Sequence, residues 1–406
     1  MLLRIPRRLL AVPFVVLMVA FAAGCGSESK SDDSTGTAAA AATDAAPAAD
    51  TSTGTSTGEA GFKCSEDGAI TEADWNQGTK QLPDPPDAEA LKGKKLAYIG
   101  FGQDNVYSQW MFKAIKCEAE AWGADATFIG PPSFDAQAQF QLVTDLATSK
   151  NYDGLVILPN DSTSITPALK QLIAADVPVV SVLQPAGPDV LAMENQIPGL
   201  TGNVIEDLSV NATAMAEGVV DACADTDPCN VVVLWGARAL AFDKVKPPIF
   251  DKIIKEHPNI KIVCEADSGY DKATGQKVAA DCLQANPNTN VLASQADQAT
   301  HGAEAAIKAA GKTFGLGPDD IKIVSAYGTK YGVQQVRDGK WFQTSYNRGQ
   351  SIGAAAARLL LLDLDGAPAP EELTFLVQDR DFDSVDNRLT QEVLKEHPEV
   401  TGQWDG

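Results

Sequence analysis

Histidine is scarce in this chain, and cysteines at metal-binding spacing are missing. The 406 residues include three histidines, and no two cysteines form a Cys-x-x-Cys pattern. Zinc sites draw on these residue types, so the sequence gives such a site no support. There is no Walker or dinucleotide-binding glycine run, and no histidine lies near a Gly-x-Ser-x-Gly turn. We therefore expect no metal, no cofactor and no catalytic centre.

Positive charge is also in short supply. The chain has 32 Lys and Arg residues against 54 Asp and Glu residues, a formal net charge of -22. Loss of Arg4, Arg7 and Arg8 with the N-terminal segment described next would change this to -25, which is -22 minus 3. A surface this acidic repels phosphate backbones, so a nucleic acid is not an expected partner.

The sequence has one long apolar run, which lies at the N-terminus. Three arginines precede 15 apolar residues, 9–23, which is shorter than the roughly 20 residues that a membrane-spanning helix needs. The pattern predicts a signal peptide over residues 1–24. The sequence Ala22-Ala23-Gly24-Cys25 resembles a lipobox, in which Cys25 would carry lipid and anchor the protein to the membrane outside the cytoplasm. Cleavage by ordinary signal peptidase, with no role for Cys25, is the alternative.

Six further cysteines indicate disulfide bonds, because the exported chain would reach an oxidising compartment. Proximity in sequence favours Cys223–Cys229 and Cys264–Cys282, which leaves Cys64 to pair with Cys117. Six cysteines allow 15 pairings, so the other connectivities stay open.

The composition divides the chain before any regular element begins. Residues 25–61 are rich in Ser, Thr, Ala, Gly and Asp and contain no aromatic residue, which predicts a lipidated cysteine followed by a disordered tether. Residues 62–92 contain Trp75 and a proline-rich stretch, and we expect an ordered extension packed on the main body.

From Lys95 onward, short β-rich runs alternate with amphipathic helical segments. The predicted strands are Leu96–Phe101, Ala126–Ile129, Gly154–Leu158, Val177–Leu183, Val231–Trp235, Ile260–Glu265, Val291–Ser294 and Ile321–Ala326. Such alternation predicts an α/β protein with parallel sheets covered by helices on both faces. A restart of the pattern near Gly202 indicates two Rossmann-like lobes, residues 93–203 plus 348–373 and residues 204–347 plus 374–406.

Four stretches of the sequence resemble motifs of one protein family. They are residues 98–107 (Tyr-Ile-Gly-Phe to Asp-Asn-Val-Tyr), 153–161 (Asp-Gly-Leu-Val-Ile-Leu-Pro-Asn-Asp) with Val177-Pro178-Val179-Val180, 295–303 (Gln-Ala-Asp-Gln-Ala to His-Gly-Ala), and 327–353 (Tyr-Gly through Thr-Ser-Tyr-Asn to Gly-Gln-Ser-Ile-Gly). In this order, the chain resembles type I periplasmic-binding proteins of the sugar-binding branch over residues 95–387.

The resemblance implies a fold, a function and partners. It implies two lobes linked by three crossings near residues 203, 347 and 374, which close over a small polar ligand. The ligand would be a sugar or a related compound, and a monomeric binding protein would deliver it to the permease of an ABC importer. A sensory receptor for a signalling partner, a binding protein for a nucleoside or aromatic compound, and an extracytoplasmic enzyme are the alternatives.

Ligand contacts are expected where strands end, since the carboxyl ends of parallel strands surround the cleft. The expected contact residues are Asn105, Tyr107, Gln184, Trp235, Asp297, Tyr327 and Asn347. Core packing of the aromatic residues and solvated or turn positions of the polar residues are the alternatives. Arg238 and Arg348 could hold a ligand carboxylate.

Two departures from the family motifs bear on the ligand. Leu183-Gln184 stands where sugar-binding members have Asp-Arg, and Ala326-Tyr327 stands where they have a carboxylate. A site with these residues suits a ligand that carries fewer hydroxyl groups and is partly planar. The acidic run 379–383 lacks the Gly and Glu of a calcium loop, so no calcium site is expected there.

Overall fold

The computed structural model describes residue 79 and residues 82–132, 134–367, 374–376 and 387–405. The predicted signal peptide, the tether, Cys25 and most of the predicted extension lie outside these residues. All the described residues belong to one compact unit, 56–406. None of the helices in this part of the chain is long and apolar enough to cross a membrane.

The first lobe is built on a six-stranded parallel sheet in the order β11-β5-β4-β3-β1-β2. Its strands are β1 (Lys95–Ile99), β2 (Asp125–Phe128), β3 (Gly154–Ile157), β4 (Val179–Leu183), β5 (Gly202–Ile205) and β11 (Thr374–Leu376). Its helices are α1 (Ala88–Leu91), α2 (Val106–Ala121), α3 (Ala136–Ser149), α4 (Thr166–Ala174) and α11 (Gly349–Leu364).

Both faces of this sheet are buried, because alternate residues of each strand enter different cores. Tyr98 packs with α2 and α11 on one face, whereas Ala97 and Ile99 pack with α3 and α4 on the other. The continuous apolar sequences of β1, β3 and β4 follow from this two-sided burial.

The second lobe repeats the arrangement around a four-stranded parallel sheet in the order β7-β6-β8-β9. Its strands are β6 (Cys229–Trp235), β7 (Ile260–Asp267), β8 (Val291–Ser294) and β9 (Lys322–Val324), and β10 (Thr344–Ser345) pairs with β12 (Arg388–Leu389) in an antiparallel ribbon. Its helices are α5 (Leu208–Ala222), α6 (Ala241–Lys244), α7 (Lys246–Ile254), α8 (Lys272–Ala285), α9 (Asp297–Ala309), α10 (Lys330–Arg337) and α12 (Gln391–Glu396).

Aspartate or threonine side chains begin several of these helices. Asp135, Asp207, Asp271 and Thr329 each accept a hydrogen bond from a backbone amide in the first turn of α3, α5, α8 and α10. Each such cap contributes about 1 kcal/mol to helix stability. These caps fix where the four helices begin.

The chain passes between the lobes three times. It leaves the first sheet after β5, returns between β10 and α11, and leaves again between β11 and β12. The parallel α/β fold with two lobes is therefore confirmed. The first sheet includes Gly202–Ile205 and Thr374–Leu376, and so extends a few residues beyond the predicted lobe boundaries.

Two of the expected disulfides are present, Cys223–Cys229 and Cys264–Cys282, and both lie in the second lobe. Cys117, on α2 of the first lobe, is also disulfide-bonded. Its predicted partner, Cys64, lies outside the described residues.

Candidate ligand-binding cleft

A cavity lies between the lobes at the carboxyl ends of both sheets. Its lining comes from both lobes and from the C-terminus: Phe101, Asn105, Tyr107, Phe134, Leu183, Phe242, Tyr270, Gln298, Tyr327 and Trp404. The cavity has a volume of about 40 Å³, compared with the roughly 10–15 Å³ that one water molecule needs by the same measure. The parallel-sheet topology creates this site, because it brings the strand ends of both lobes to one place.

Strained backbone is concentrated in this lining. Five non-glycine residues among those described have a positive φ in the left-handed region, and Leu183, Tyr270 and Tyr327 are three of them. Such conformations cost about 1–3 kcal/mol each and persist where the surroundings hold them, often at ligand sites. The strain turns these three side chains into the cavity at the ends of strands β4, β7 and β9.

Aromatic rings close the cavity from lobe to lobe. Phe101 of the first lobe stacks on Phe242 of the second with ring centroids 5.3 Å apart, and Phe134 stacks on Tyr270 at 6.4 Å. Tyr107 meets the edge of Trp404 at 5.2 Å. Rings in these arrangements offer flat apolar surfaces to whatever enters the cleft.

A buried ionic cluster supports the second-lobe side of the cavity. The Lys246 ammonium contacts the Asp243 carboxylate at 3.0 Å and donates to the Tyr327 hydroxyl at 2.6 Å. Asp243 also accepts from the Tyr270 hydroxyl at 2.7 Å, from the side-chain amide of Gln295 and from a backbone amide. Burial opposes the charged form of Lys246, but Tyr327 and Asp243 outweigh it and raise its pKa. The cluster thus holds two cavity tyrosines, Tyr270 and Tyr327, in fixed positions.

A second carboxylate, Glu206, lies at the first crossing between the lobes. It accepts hydrogen bonds from the side-chain amides of Asn347 at 3.0 Å and Asn211 at 3.1 Å. Burial raises its pKa, although the nearby Arg348 acts in the opposite direction. This cluster joins the first crossing to the second, so it stiffens the hinge rather than lining the cavity.

The structure brings three of the seven predicted contact residues into the cavity wall, namely Asn105, Tyr107 and Tyr327. Asn105 also caps α2 by accepting from the Ser108 amide at 2.8 Å. Burial raises the pKa of Tyr107, and the Glu206 carboxylate raises it further, so this hydroxyl stays neutral.

The other four are not among the residues that line the cavity. Gln184 is buried and donates to the Pro159 carbonyl at 2.6 Å, and Asn347 bonds to Glu206. Trp235 packs edge-on against Phe250 in the second-lobe core. Asp297 accepts four hydrogen bonds from three residues of its own lobe, Ser325, Thr329 and Thr344. Ligand contact by these four stays a prediction.

The two arginines considered for a ligand carboxylate do not line the cavity either. Arg238 pairs with Asp267 near the surface of the second lobe. Arg348 is buried, with its guanidinium 4.2 Å from the centre of the Tyr346 ring.

Sequence reasoning missed several lining residues, above all Phe242, Tyr270, Gln298 and Trp404. The signal for Tyr270 was available, because it follows the end of β7 by three residues. Gln298 lies beside the predicted Asp297 at the start of α9, with its carbonyl oxygen buried and without a protein partner. Trp404 had no such signal, since its place in the cleft depends on the path of the C-terminal segment.

Comparison with known proteins agrees with this architecture. The D-apiose import binding protein of Actinobacillus succinogenes is 27% identical over 237 residues, which cover 58% of this chain and 70% of that protein. The ribose import binding protein of Escherichia coli is 26% identical over 272 residues, covering 66% and 83%. A crystal structure from Mycobacterium smegmatis in complex with β-D-fucofuranose superposes with a TM-score of 0.63 at 23% identity, covering 75% and 93%.

The family model described as "Periplasmic binding protein domain" matches residues 96–368. This match spans most of both lobes and ends before β11, so it includes both halves of the cleft but not the C-terminal residues. The chain therefore belongs to the periplasmic binding protein domain family and is a binding protein rather than an enzyme.

Proposed function

We propose that this chain is an extracytoplasmic solute-binding protein that encloses a small uncharged molecule between its lobes and delivers it to the permease of an ABC importer. The cavity lined from both lobes is the observation that carries the proposal. A ligand that touches both sides favours the closed form, because only that form makes both sets of contacts. Release to the permease would then require the lobes to separate.

The absence of charge in the cavity wall supports an uncharged ligand. None of the ten described lining residues carries a charge, and the nearby Asp243 and Lys246 are paired with each other. A charged ligand would leave its own charge buried without a partner, at a cost of several kcal/mol. The cleft therefore fits a neutral molecule.

A sugar is the first candidate. Relatives are named for D-apiose and ribose import, and the similar crystal structure from Mycobacterium smegmatis holds β-D-fucofuranose. Amide groups from Asn105 and Gln298 and the tyrosine hydroxyls could bond to sugar hydroxyls, and the rings could pack on the C–H faces of a sugar.

A nucleoside or aromatic compound is the second candidate, and the lining favours it. Eight of the ten lining residues are aromatic or aliphatic, and the hydroxyls of Tyr270 and Tyr327 already bond to Asp243 and Lys246. Few polar groups remain for a ligand with many hydroxyls, and an unpaired buried hydroxyl costs about 1–3 kcal/mol.

A thermal-shift screen tests the proposal and separates the candidates. The panel would contain pentoses, hexoses, nucleosides and aromatic acids, and a ligand at 100 times its Kd should add about 2.7 kcal/mol of stability. Gln298→Ala should remove about half of the shift, because the carbonyl oxygen of Gln298 has no partner in the protein and can accept a bond from the ligand. Gln334→Ala, on the exposed face of α10, is the matched control. A shift caused only by charged compounds would contradict the proposal.

The lipid anchor at Cys25 and a monomeric state complete the proposal. The anchor is based on the N-terminal sequence pattern, and the acidic residues that outnumber basic ones by 22 agree with a protein exposed outside the cytoplasm. Held in this way, the binding protein would stay near the permease it serves.

A further inference from the structure

The last described residues of the chain, 402–405, run back from α12 to the entrance between the lobes. We call residues 402–405 the C-terminal strap. The side chains of Gln403 and Trp404 are 1% and 3% exposed, although they lie outside any helix or strand. Burial of such a segment requires contacts that offset the entropy lost in ordering it.

On the second-lobe side, the strap holds the loop that carries Tyr327. The Trp404 indole donates to the Tyr327 carbonyl at 2.9 Å, and the Trp404 carbonyl accepts from the Lys330 amide at 2.8 Å. At Gly402, where φ is +82°, an added Cβ would lie 2.7 Å from the Lys330 amide nitrogen and 2.8 Å from the Gly328 carbonyl oxygen. The approach is therefore so close that it requires glycine.

On the first-lobe side, the strap holds the start of α11. The side-chain carbonyl of Gln403 accepts from the backbone amides of Gln350 at 3.0 Å and Ser351 at 3.1 Å. Its amide group donates to the Ser351 hydroxyl at 2.8 Å. These two backbone amides lie in the first turn of α11, where amides have no partner within the helix, so Gln403 acts as a cap supplied by a distant segment.

Trp404 itself lies between the lobes and forms part of the cavity wall. Its ring meets the ring of Tyr107, on α2 of the first lobe, nearly edge-on at 76°. The residues that match the family model end at 368, so the strap is an addition to the part of the chain that the model covers.

We propose that Trp404 is a specificity-determining residue of the cleft, and that the strap couples the ligand to closure of the lobes. This inference rests on the proposed function, because it concerns the same cavity. The indole offers the ligand a flat apolar face next to Tyr107 and Tyr327, and the backbone and Gln403 contacts of the strap span both lobes. Opening the cleft would separate Trp404, which is held by the loop at Tyr327, from Tyr107 on α2, so the strap favours the closed form.

The experiment compares Trp404→Ala and Trp404→Phe with Trp341→Phe in the full chain. Trp341 is a buried tryptophan of the second-lobe core that donates to Glu304 at 2.9 Å and does not line the cavity. Trp404→Phe and Trp341→Phe thus each lose one indole hydrogen bond, and only the first does so in the cleft. The measurements are amide hydrogen exchange at Lys330, Gln350 and Ser351, X-ray scattering without ligand, and calorimetric Kd values for D-ribose and adenosine.

Trp404→Ala should speed exchange at all three amides, increase the radius of gyration and weaken the better-bound probe by about ten-fold. It should also change the ratio of the two Kd values, which Trp341→Phe should leave unaltered. Trp404→Phe should fall between wild type and Trp404→Ala.

Exchange and scattering equal to those of Trp341→Phe, or an unchanged Kd ratio, would overturn the inference. If neither probe binds wild-type protein, D-ribose and adenosine are excluded as ligands, and the specificity test passes to the best compound of the thermal-shift panel. Exchange and scattering decide in either case whether the strap holds the lobes. Should Trp404→Ala not fold, Gln403→Ala supplies the same exchange test at Gln350 and Ser351.

Discussion

On the second-lobe side of the cleft, polar side chains bond to one another, whereas on the first-lobe side several buried acceptors have no partner within the protein. The second-lobe network is centred on Asp243, which receives hydrogen bonds from Lys246, Tyr270 and Gln295. On the first-lobe side, the Asn160 and Gln184 carbonyl oxygens and the Ser162 hydroxyl are buried and unpaired. Gln298 and Asn387 are exceptions, second-lobe residues that each have an unpaired side-chain oxygen.

The paired and the unpaired polar groups have different effects on stability and on ligand binding. A paired network in a low-dielectric interior holds its members rigidly, and it becomes costly when one member is lost. Unpaired acceptors contribute little to the stability of the free protein but can receive donors from a ligand or from water. The second-lobe face is therefore prearranged, whereas the first lobe keeps unused acceptors on Asn160, Ser162 and Gln184, which lie outside the cavity lining.

The largest expected effect comes from breaking the ionic cluster. Lys246→Met should lower the free energy of unfolding by about 3–5 kcal/mol, because it leaves the buried Asp243 carboxylate without its cation. Urea unfolding at neutral pH measures this. Arg238→Met is the control, since Arg238 and its partner Asp267 are 36% and 45% exposed and such a pair contributes about 1 kcal/mol or less. Equal losses in the two variants would show that the cluster is not a special source of stability.

A matched pair of glutamines sharpens the comparison between the lobes. Gln295→Leu removes bonds to Asp243, to the Tyr270 hydroxyl and to the Gly236 amide, and should cost about 2–3 kcal/mol of unfolding free energy. Gln184→Leu removes one bond, to the Pro159 carbonyl, together with an unpaired oxygen, and should change stability by less than about 1 kcal/mol. Thermal and urea unfolding would test both variants. A larger loss of unfolding free energy for Gln184→Leu than for Gln295→Leu would contradict the conclusion that the second-lobe network is the more tightly bonded one.

The sequence predicted the regular elements better than it predicted the irregular ones. All eight predicted strands are present, because buried parallel strands such as β3 and β4 have continuous apolar sequences. Strand β5 was missed, since Gly202 and Asn203 are poor strand formers that take this conformation through pairing with β4 and β11. The conformation of such segments is set by their contacts with other strands.

In the candidate site, too, the sequence predicted the residues next to regular elements better than those in irregular segments. Residues directly after strands, such as Asn105 and Tyr327, could be placed near the cleft from topology alone. Whether Gln184 or its neighbour Leu183 lines the cavity depends on the positive φ of Leu183, which sequence periodicity does not reveal. Trp404 depends on contacts between segments far apart in the chain, and no local pattern encodes those.

The smallest expected effect concerns pH and again distinguishes the lobes. Burial raises the pKa of Asp297 from 3.8 to about 6, although hydroxyl and amide donors from Ser325, Thr329 and Thr344 act to lower it. The folded state therefore binds more protons than the unfolded state between these values, and this contribution to stability is present at low pH and lost as pH rises through about 6.

Relative to Asp297→Asn, wild-type protein should lose about 1 kcal/mol of unfolding free energy between about pH 5 and pH 7. Urea unfolding of both proteins across that range gives the difference between their unfolding free energies at each pH. Both proteins retain Glu206, so its contribution cancels in this difference. Parallel curves would mean that the donors around Asp297 fully offset its burial, and that this carboxylate stays charged within the second lobe at every pH tested.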